Sequence, residues 1–389
     1  MFKHPPCCYE YKIINTFDLK IFSDNMNIII GSLQYSPIYK SHCCALGKQS
    51  EKRGHSVTYL FSEEYKWMLP EEIKKKAVFV GNSKNIISTI IDGLNIKHKQ
   101  KLNKIFLKEK PDFVYMHNFH PFLNYKVAKL SQKYKVTFIQ HVHEPYVENK
   151  QAYEGFKPYW LYLFEYAQEK ALEKTNIAVM SSVKAMQLFK KRYPKFLGEK
   201  KYIPLIYEDL GNDSNSIGNR KYITFIGPPV AAKGPEIFLK IAEYSRQHNL
   251  KLNFILISRL QITDSRYYKW KNLKVYHKEK ISDEEIANYL RQSIMTITPY
   301  KIATQSSVVL TSYMYGTPVL SSNIEGLSET VSHLKTGYLV DNNSDIKEWI
   351  KGALFIKDNL DMMSKNCRIY FNNEFSEINW PKYFKELLG

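Results

Sequence analysis

Three stretches of this chain concentrate side chains that could hold a phosphate or a metal ion. The first, Gly227-Pro228-Pro229-Val230-Ala231-Ala232-Lys233-Gly234, is a glycine-bounded loop ahead of a helical pattern with Glu236 in its first turn. Free N–H groups in such a loop, with the Lys233 ammonium as a point charge, suit a phosphate. An ordinary loop with a solvated lysine is the plainer alternative. The second, Pro299-Tyr300-Lys301-Ile302-Ala303-Thr304-Gln305-Ser306-Ser307, crowds hydroxyls and an amide onto a helix start. Those groups and the orphan N–H donors beside them suit a diphosphate, although Ser306 or Ser307 could serve merely as an N-cap. The third is a set of histidines. His141 and His143 alternate onto one face of an extended segment, and His117 and His120 follow a neighbouring one. Together they would offer four imidazoles to a transition metal, but no carboxylate cluster or cysteine completes a ligand set. Structural polar residues at strand ends are the plainer reading.

The elements that must position these residues alternate along the chain. Strands are expected over 27–31, 56–61, 113–116, 136–140 and 177–180, with helices ending near 53 and over 99–108, 123–133 and 182–191. Strand, loop, helix, Gly54, strand is a βαβ unit, which demands a parallel sheet. Residues 208–219 (EDLGNDSNSIGN) are polar and rich in Gly, Asn and Ser, the composition of a linker. A second alternating series follows, with strands over 222–226, 253–257, 274–276, 295–298 and 318–321 and helices over 236–247, 283–291 and 307–315. The order predicts an α/β protein of two doubly wound, Rossmann-like domains. Expected boundaries are a peripheral leader 1–25, a first domain 26–207, the linker 208–219, a second domain 220–370 and a C-terminal segment 371–389. Ligands of open α/β sheets bind beyond the carboxyl ends of the strands, so two such domains facing each other make a cleft lined by strand-end loops.

Several chemistries lack their motifs. The sequence holds no GxG, no GxxxxGK[ST], no GxSxG and no Asp-x-Asp pair. The five cysteines are odd in number and without CxxC spacing, which fits a reducing compartment better than a disulfide framework. No apolar run approaches a membrane span, and the N-terminus mixes Lys3, His4, Glu10, Lys12 and Asp18, unlike a signal peptide. The expected location is cytoplasmic, with at most a peripheral contact on the inner face of the membrane.

The two phosphate-suited segments together resemble the donor domain of retaining GT-B glycosyltransferases of glycosyltransferase family 4, a subgroup of which has a Thr-Gln-Ser-Gly-like donor loop. Phe225, Gly227, Lys233 and Gly234 match that family's first loop, and Pro299, Tyr300, Ala303, Thr304, Gln305, Ser306 and Val308 match the second. Gly316, Pro318 and Val319 complete it, while Gly326-Leu327-Ser328-Glu329 and Thr336-Gly337-Tyr338-Leu339-Val340 look like two further family stretches. The resemblance departs at three places. The family's phosphate-clamping arginine falls on Pro228, its first donor-holding glutamate near Ile302 and Ala303, and its second on Thr311. What the resemblance implies is a GT-B fold, with a C-terminal helix over 375–388 crossing back to the first domain.

It also implies a hexosyltransferase-type enzyme moving a sugar from a nucleotide-diphosphate sugar to a cell-envelope polysaccharide or lipid-linked glycan. No cofactor and no metal would be needed. Gly227, Lys233, Thr304, Gln305, Ser306, Ser307 and Glu329 would bind the donor. His143, which with Glu144 and Pro145 resembles a strand-end motif of the family, would act beside the reacting sugar. Ser36, Lys40, Ser41, His117 and Glu144 would face the acceptor. The departures motivate a second reading, a degenerate non-catalytic member that binds a sugar nucleotide or a partner enzyme. A metal-dependent hydrolase using His117, His120, His141 and His143 is third.

The formal net charge of +18 is uneven, at +12 over residues 1–218 and +6 over 219–389. Basic stretches with Lys97, Lys99, Lys101, Lys104 and Lys108, and with Lys190, Lys191 and Arg192, flank the aromatic run Tyr159-Trp160-Leu161-Tyr162-Leu163-Phe164. Basic amphipathic surface with interfacial aromatics suits an anionic lipid surface. Plain packing on the sheet, with a solvated lysine face, explains any single helix as well. No fold motif supports a nucleic-acid partner.

Overall fold

The computed structural model describes residues 25–83, 85–148, 150, 157–211 and 220–388. The leader expected over 1–25 lies outside them except for Asn25, as do linker positions 212–219. Two all-parallel sheets carry the fold. The first has seven strands in the order β3-β2-β1-β4-β5-β6-β7. They are β1 Asn27–Ser32, β2 Ser56–Phe61, β3 Ala77–Phe79, β4 Phe113–Met116, β5 Thr137–His141, β6 Ile177–Met180 and β7 Glu199–Tyr202. The second has six in the order β10-β9-β8-β11-β12-β13. They are β8 Tyr222–Ile226, β9 Asn253–Ser258, β10 Leu273–His277, β11 Ser293–Thr298, β12 Val319–Ser322 and β13 Gly337–Val340. Helices cover both faces of each sheet, so central strands such as β1 (NIIIGS) and β9 (NFILIS) are apolar on both sides.

Strand order reverses between β1 and β4 in one sheet and between β8 and β11 in the other. These switch points are where an open α/β sheet leaves a crevice for a ligand. The two phosphate-suited segments are the loops that follow β8 and β11, so topology brings them side by side. Gly234 makes the juxtaposition close: it has φ of +59°, and a Cβ there would lie 1.9 Å from the Pro299 carbonyl oxygen. No residue with a side chain fits between the two loops.

The C-terminal crossing is present in a different form. The helix Leu360–Glu374 stops short of Phe375, a single turn Glu377–Asn379 follows, and the last helix is Trp380–Leu388. Tyr207 interrupts the expected continuous helix by donating its N–H to Phe375 and accepting from Glu377 N–H, at 2.8 and 2.9 Å. Trp380, Tyr383, Phe384 and Leu387 then sink into the first domain's core beside Ile28, Tyr59, Phe113 and Tyr115.

The helix expected over 99–108 begins earlier, and a second helix precedes it. Ile86–Leu94 and Ile96–Glu109 are separated at Asn95, whose side chain accepts from Lys97 N–H and caps the second. Leu94 therefore leaves the face formed by Leu102, Ile105 and Phe106: those three are buried, whereas Leu94 is 78% exposed. Among the described residues no helix is long and apolar enough to cross a membrane.

Candidate functional site

The loop after β8 is held by its own backbone. Gly227 N–H donates to Ile257, Val230 to Pro228, Lys233 to Val230 and Gly234 to Ala231. The expected cradle of free N–H groups is thus largely used up, and the Lys233 ammonium is what the loop presents. Gly227, at φ +110°, leaves room for it: a Cβ there would meet Lys233 Nζ at 2.6 Å. Lys233 Nζ lies 5.5 Å from the centre of the Tyr300 ring, and no carboxylate among the described residues forms an ion pair with it. Its neighbour Lys301, by contrast, is neutralised by Glu236 at 2.6 Å. Across from Lys233 the helix Ser307–Met314 opens with no side-chain cap from Ser306, which leaves its first N–H groups without an internal partner.

Two cavities meet here. One, of about 290 Å³, is lined by Ser36, Ser41, Gly227, Pro228, Arg259 and Thr311, among others. The other, of about 330 Å³, is lined by Tyr39, His143, Glu144, Ile302, Thr304 and Gln305, among others. Lys233 and Ser307 belong to both walls. The cation and the open helix end therefore stand at the junction of two compartments.

Gln305 and Thr304 also tie the domains together. Thr304 Oγ1 donates to the His143 carbonyl at 3.3 Å, the Gln305 amide meets His143 Nδ1 at 3.1 Å, and Gln305 Oε1 accepts from Ser181 Oγ at 2.7 Å. Burial, followed by the neighbouring His141 and His42, holds the His143 imidazole well below its ordinary pKa, so the ring is neutral at pH 7.

Five expectations are corrected. Lys40 sits in the first turns of the helix Pro37–Glu51, buried and ion-paired with Asp283 of the second domain, and lines neither cavity. Glu329 reaches the first domain instead of the cleft: its oxygens accept from the N–H groups of Val183 and Lys184, at 2.6 and 2.8 Å, and cap that helix. Ser306 is buried and lines neither cavity, and His117 lies behind His143, 2% exposed. The fifth is His120. Asn118, at φ +54°, turns the chain so that His120 faces Asp92, 3.6 Å away, and not the other histidines. His42 takes its place, with its ring centre 5.6 Å from that of His117.

Arg259 was not anticipated. It follows β9 directly, lines the smaller cavity beside Pro228, and donates from Nη2 to the Ile281 carbonyl at 2.8 Å. The strand-end rule points to it, because it begins the loop at the carboxyl end of β9. Tyr39 is a second addition, its ring tilted against that of His143 with centres 4.5 Å apart.

Comparison with known proteins agrees with this geometry. Residues 40–194 match the family described as Glycosyltransferase Family 4, and residues 208–369 match Glycosyl transferases group 1. The D-inositol 3-phosphate glycosyltransferase of Paenarthrobacter aurescens is 25% identical over 130 residues, 31% of this chain. That match spans about a third of the relative, 32% of its length. Sucrose-phosphate synthase from Thermosynechococcus elongatus superimposes with a TM-score of 0.70 at 14% identity, covering 93% of this chain and 99% of that one. Anabaena HepE in complex with UDP-glucose superimposes with a TM-score of 0.66 at 13% identity, with the same coverage. The last two likenesses bear on the fold.

Proposed function

From a chain built of two glycosyltransferase domains on a GT-B frame, we propose that this protein transfers a hexose, with retention of configuration, from a nucleoside-diphosphate sugar to a glycan or lipid-linked acceptor. The observation that carries the proposal is the position of Lys233 and the uncapped Ser307 helix end on the wall shared by two cavities. A diphosphate belongs at such a junction, with the nucleoside in the compartment of Ser36, Arg259 and Thr311 and the sugar against His143, Thr304 and Gln305. Arg259 offsets the arginine that Pro228 replaces, and the Thr311 hydroxyl offers a neutral hydrogen bond where a carboxylate stands in the family.

In the reaction the acceptor oxygen bonds to the sugar's anomeric carbon as the bond from that carbon to the diphosphate oxygen breaks. The acceptor's proton passes to the departing diphosphate on the same face. Lys233 and the helix end stabilise the charge that develops there. Neutral His143 hydrogen-bonds a sugar hydroxyl.

A panel of UDP-, GDP- and ADP-sugars tests this directly. Turnover, or slow donor hydrolysis, is expected with at least one of them. Nucleotide binding without turnover on any donor would establish the non-catalytic reading, which Ile302 and Thr311 favour through their lack of charge.

The acceptor side carries a lipid-facing surface. Ile87, Ile91 and Leu94 form one stripe of the helix Ile86–Leu94 at 70, 58 and 78% exposure, and Ile96 continues it at 71%. Lys97, Lys99 and Lys101 stand exposed directly after it. Isoleucines with a lysine rim match the interface of an anionic bilayer. Binding to phosphatidylglycerol vesicles is expected to exceed binding to phosphatidylcholine vesicles, and the paired change Ile87→Asp and Ile91→Asp is expected to weaken it at least about 100-fold. Equal binding to both lipids would remove the membrane from this reading.

A further inference from the structure

The histidines behind the acceptor-side cavity have a property that sugar transfer does not explain. Nε2 of His42, Nε2 of His141, Nε2 of His143 and both ring nitrogens of His117 are buried without a hydrogen-bond partner. Their rings crowd together: His141 and His143 stack with centres 4.1 Å apart, and His117 is tilted against His141 at 5.0 Å. His117, His141 and His143 are 2, 2 and 8% exposed, so the three rings gather in a pocket closed to solvent. A single water makes about three hydrogen bonds, too few for five such nitrogens.

We propose that His117, His141 and His143 form a binding site for one divalent transition-metal ion of the zinc type. One ligand atom from each of the three lies within 4.8 Å of the others. Tetrahedral coordination with metal–nitrogen bonds of 2.0–2.1 Å requires separations of about 3.3 Å, within reach of side-chain rotation. The outer nitrogens of two of the three rings, His141 and His143, are already engaged, as in histidine metal sites, while His117 has neither nitrogen bonded. His141 Nδ1 meets Tyr115 Oη at 3.1 Å, and His143 Nδ1 meets the Gln305 amide at 3.1 Å. His42 Nδ1 donates to the Ile206 carbonyl at 2.6 Å, which leaves the lone pair on its inward Nε2.

With His143 Nε2 on the metal, His143 Nδ1 must carry the proton. The Gln305 amide then turns its oxygen to His143 and its nitrogen to Ser181 Oγ, a reversal that keeps both contacts. A metal ion would thereby fix the tautomer of a residue bridging to the second domain. The set contains three neutral imidazoles and no carboxylate or thiolate, which selects zinc, cobalt, nickel or copper over magnesium or calcium. His42 and His143 also line the larger cavity, so the cluster lies directly behind its wall. This site goes beyond the transferase reading and competes with it for one atom: Gln305 holds His143 Nδ1, so a bound metal takes the Nε2 that would otherwise meet a sugar hydroxyl.

The test uses the full chain without an affinity tag, stripped with a chelator and titrated with Co²⁺ alone. One Co²⁺ per chain is expected, with the intense visible bands of a four- or five-coordinate centre. His117→Asn and His141→Asn are expected to abolish these bands, and His120→Asn, on the far side near Asp92, to retain them. Bands absent from the wild type, or unchanged in both His117→Asn and His141→Asn, would overturn the proposal. If either variant fails to fold, X-ray absorption of the zinc-loaded wild type decides alone. Three imidazole nitrogens at about 2.0–2.1 Å support the site, and fewer than three refute it.

Discussion

Replacing Lys233 with alanine is expected to lower kcat/KM for sugar transfer by about 100- to 1,000-fold while leaving the fold intact. The size follows from the site. Lys233 has no carboxylate partner among the described residues, stands on the wall shared by both cavities, and is the principal group that the loop after β8 presents. A preorganised charge aimed at a leaving diphosphate acts where charge develops, so its loss falls on the transition state more than on donor binding. kcat is therefore expected to fall further than KM rises. Lys233→Arg should recover part of the rate, since it restores charge but not the shape that Gly227 accommodates. Lys301→Ala is the control: that lysine is half exposed, already paired with Glu236, and lines neither cavity. A fall of less than about threefold in Lys233→Ala, with wild-type folding, would move the leaving-group contact elsewhere, and Arg259 is the alternative.

The contrast between Lys233 and Lys40 shows how far the sequence could be read. Both are lysines near a helix start that follows a central strand, and local pattern gives them the same promise. What separates them is a partner 243 positions away: Asp283 takes Lys40, while Lys233 meets no carboxylate. Pairing of that kind depends on how the two domains meet, which no local window contains. Glu329 fails for the same reason, because the helix end that it caps belongs to the other domain.

His120 fails for a local reason. It shares a short loop with His117, but positive φ at Asn118 aims the two rings apart. A non-glycine residue in the left-handed region leaves little trace in sequence, although asparagine is among the few types that tolerate it. The break at Asn95 was more legible. Asn85 and Ser88 form a capping box and Asn95 caps the next helix, so asparagines marked both starts. By contrast, the two doubly wound parallel sheets, and the placement of the β8 and β11 loops at carboxyl strand ends, followed from the alternation of apolar runs and helical patterns alone. Arg259 was within reach of that same rule. The loop after β9 holds no glycine or proline, so nothing local sets Arg259 apart from the polar residues Gln261, Thr263 and Asp264 that follow it.

The second large effect concerns the crossing at the C-terminus. Trp380→Ala is expected to destabilise the first domain by about 3–5 kcal/mol, the usual cost of truncating a buried tryptophan. Trp380 is 1% exposed, and it meets Tyr115 and Phe384 edge-on at 6.1 and 5.6 Å. Its indole N–H donates to Ser50 Oγ at 3.3 Å. Alanine leaves Ser50 satisfied, because that hydroxyl also donates to the Leu46 carbonyl, so the loss is one of packing more than of an orphaned polar group. At roughly 2–4 °C per kcal/mol for a domain of this size, the first-domain melting transition should fall by about 6–20 °C. Trp380→Phe, which keeps an aromatic ring in the same slot, should cost far less. The helix Trp380–Leu388 belongs to the chain of the second domain but is buried in the first, so its release would also free one domain to move against the other. Transfer activity should then fall below the melting temperature, with KM rising more than kcat falls, because cleft closure is lost before the fold is. A first-domain transition shifted by less than about 2 °C would mean that Tyr383, Phe384 and Leu387 hold the crossing without the indole.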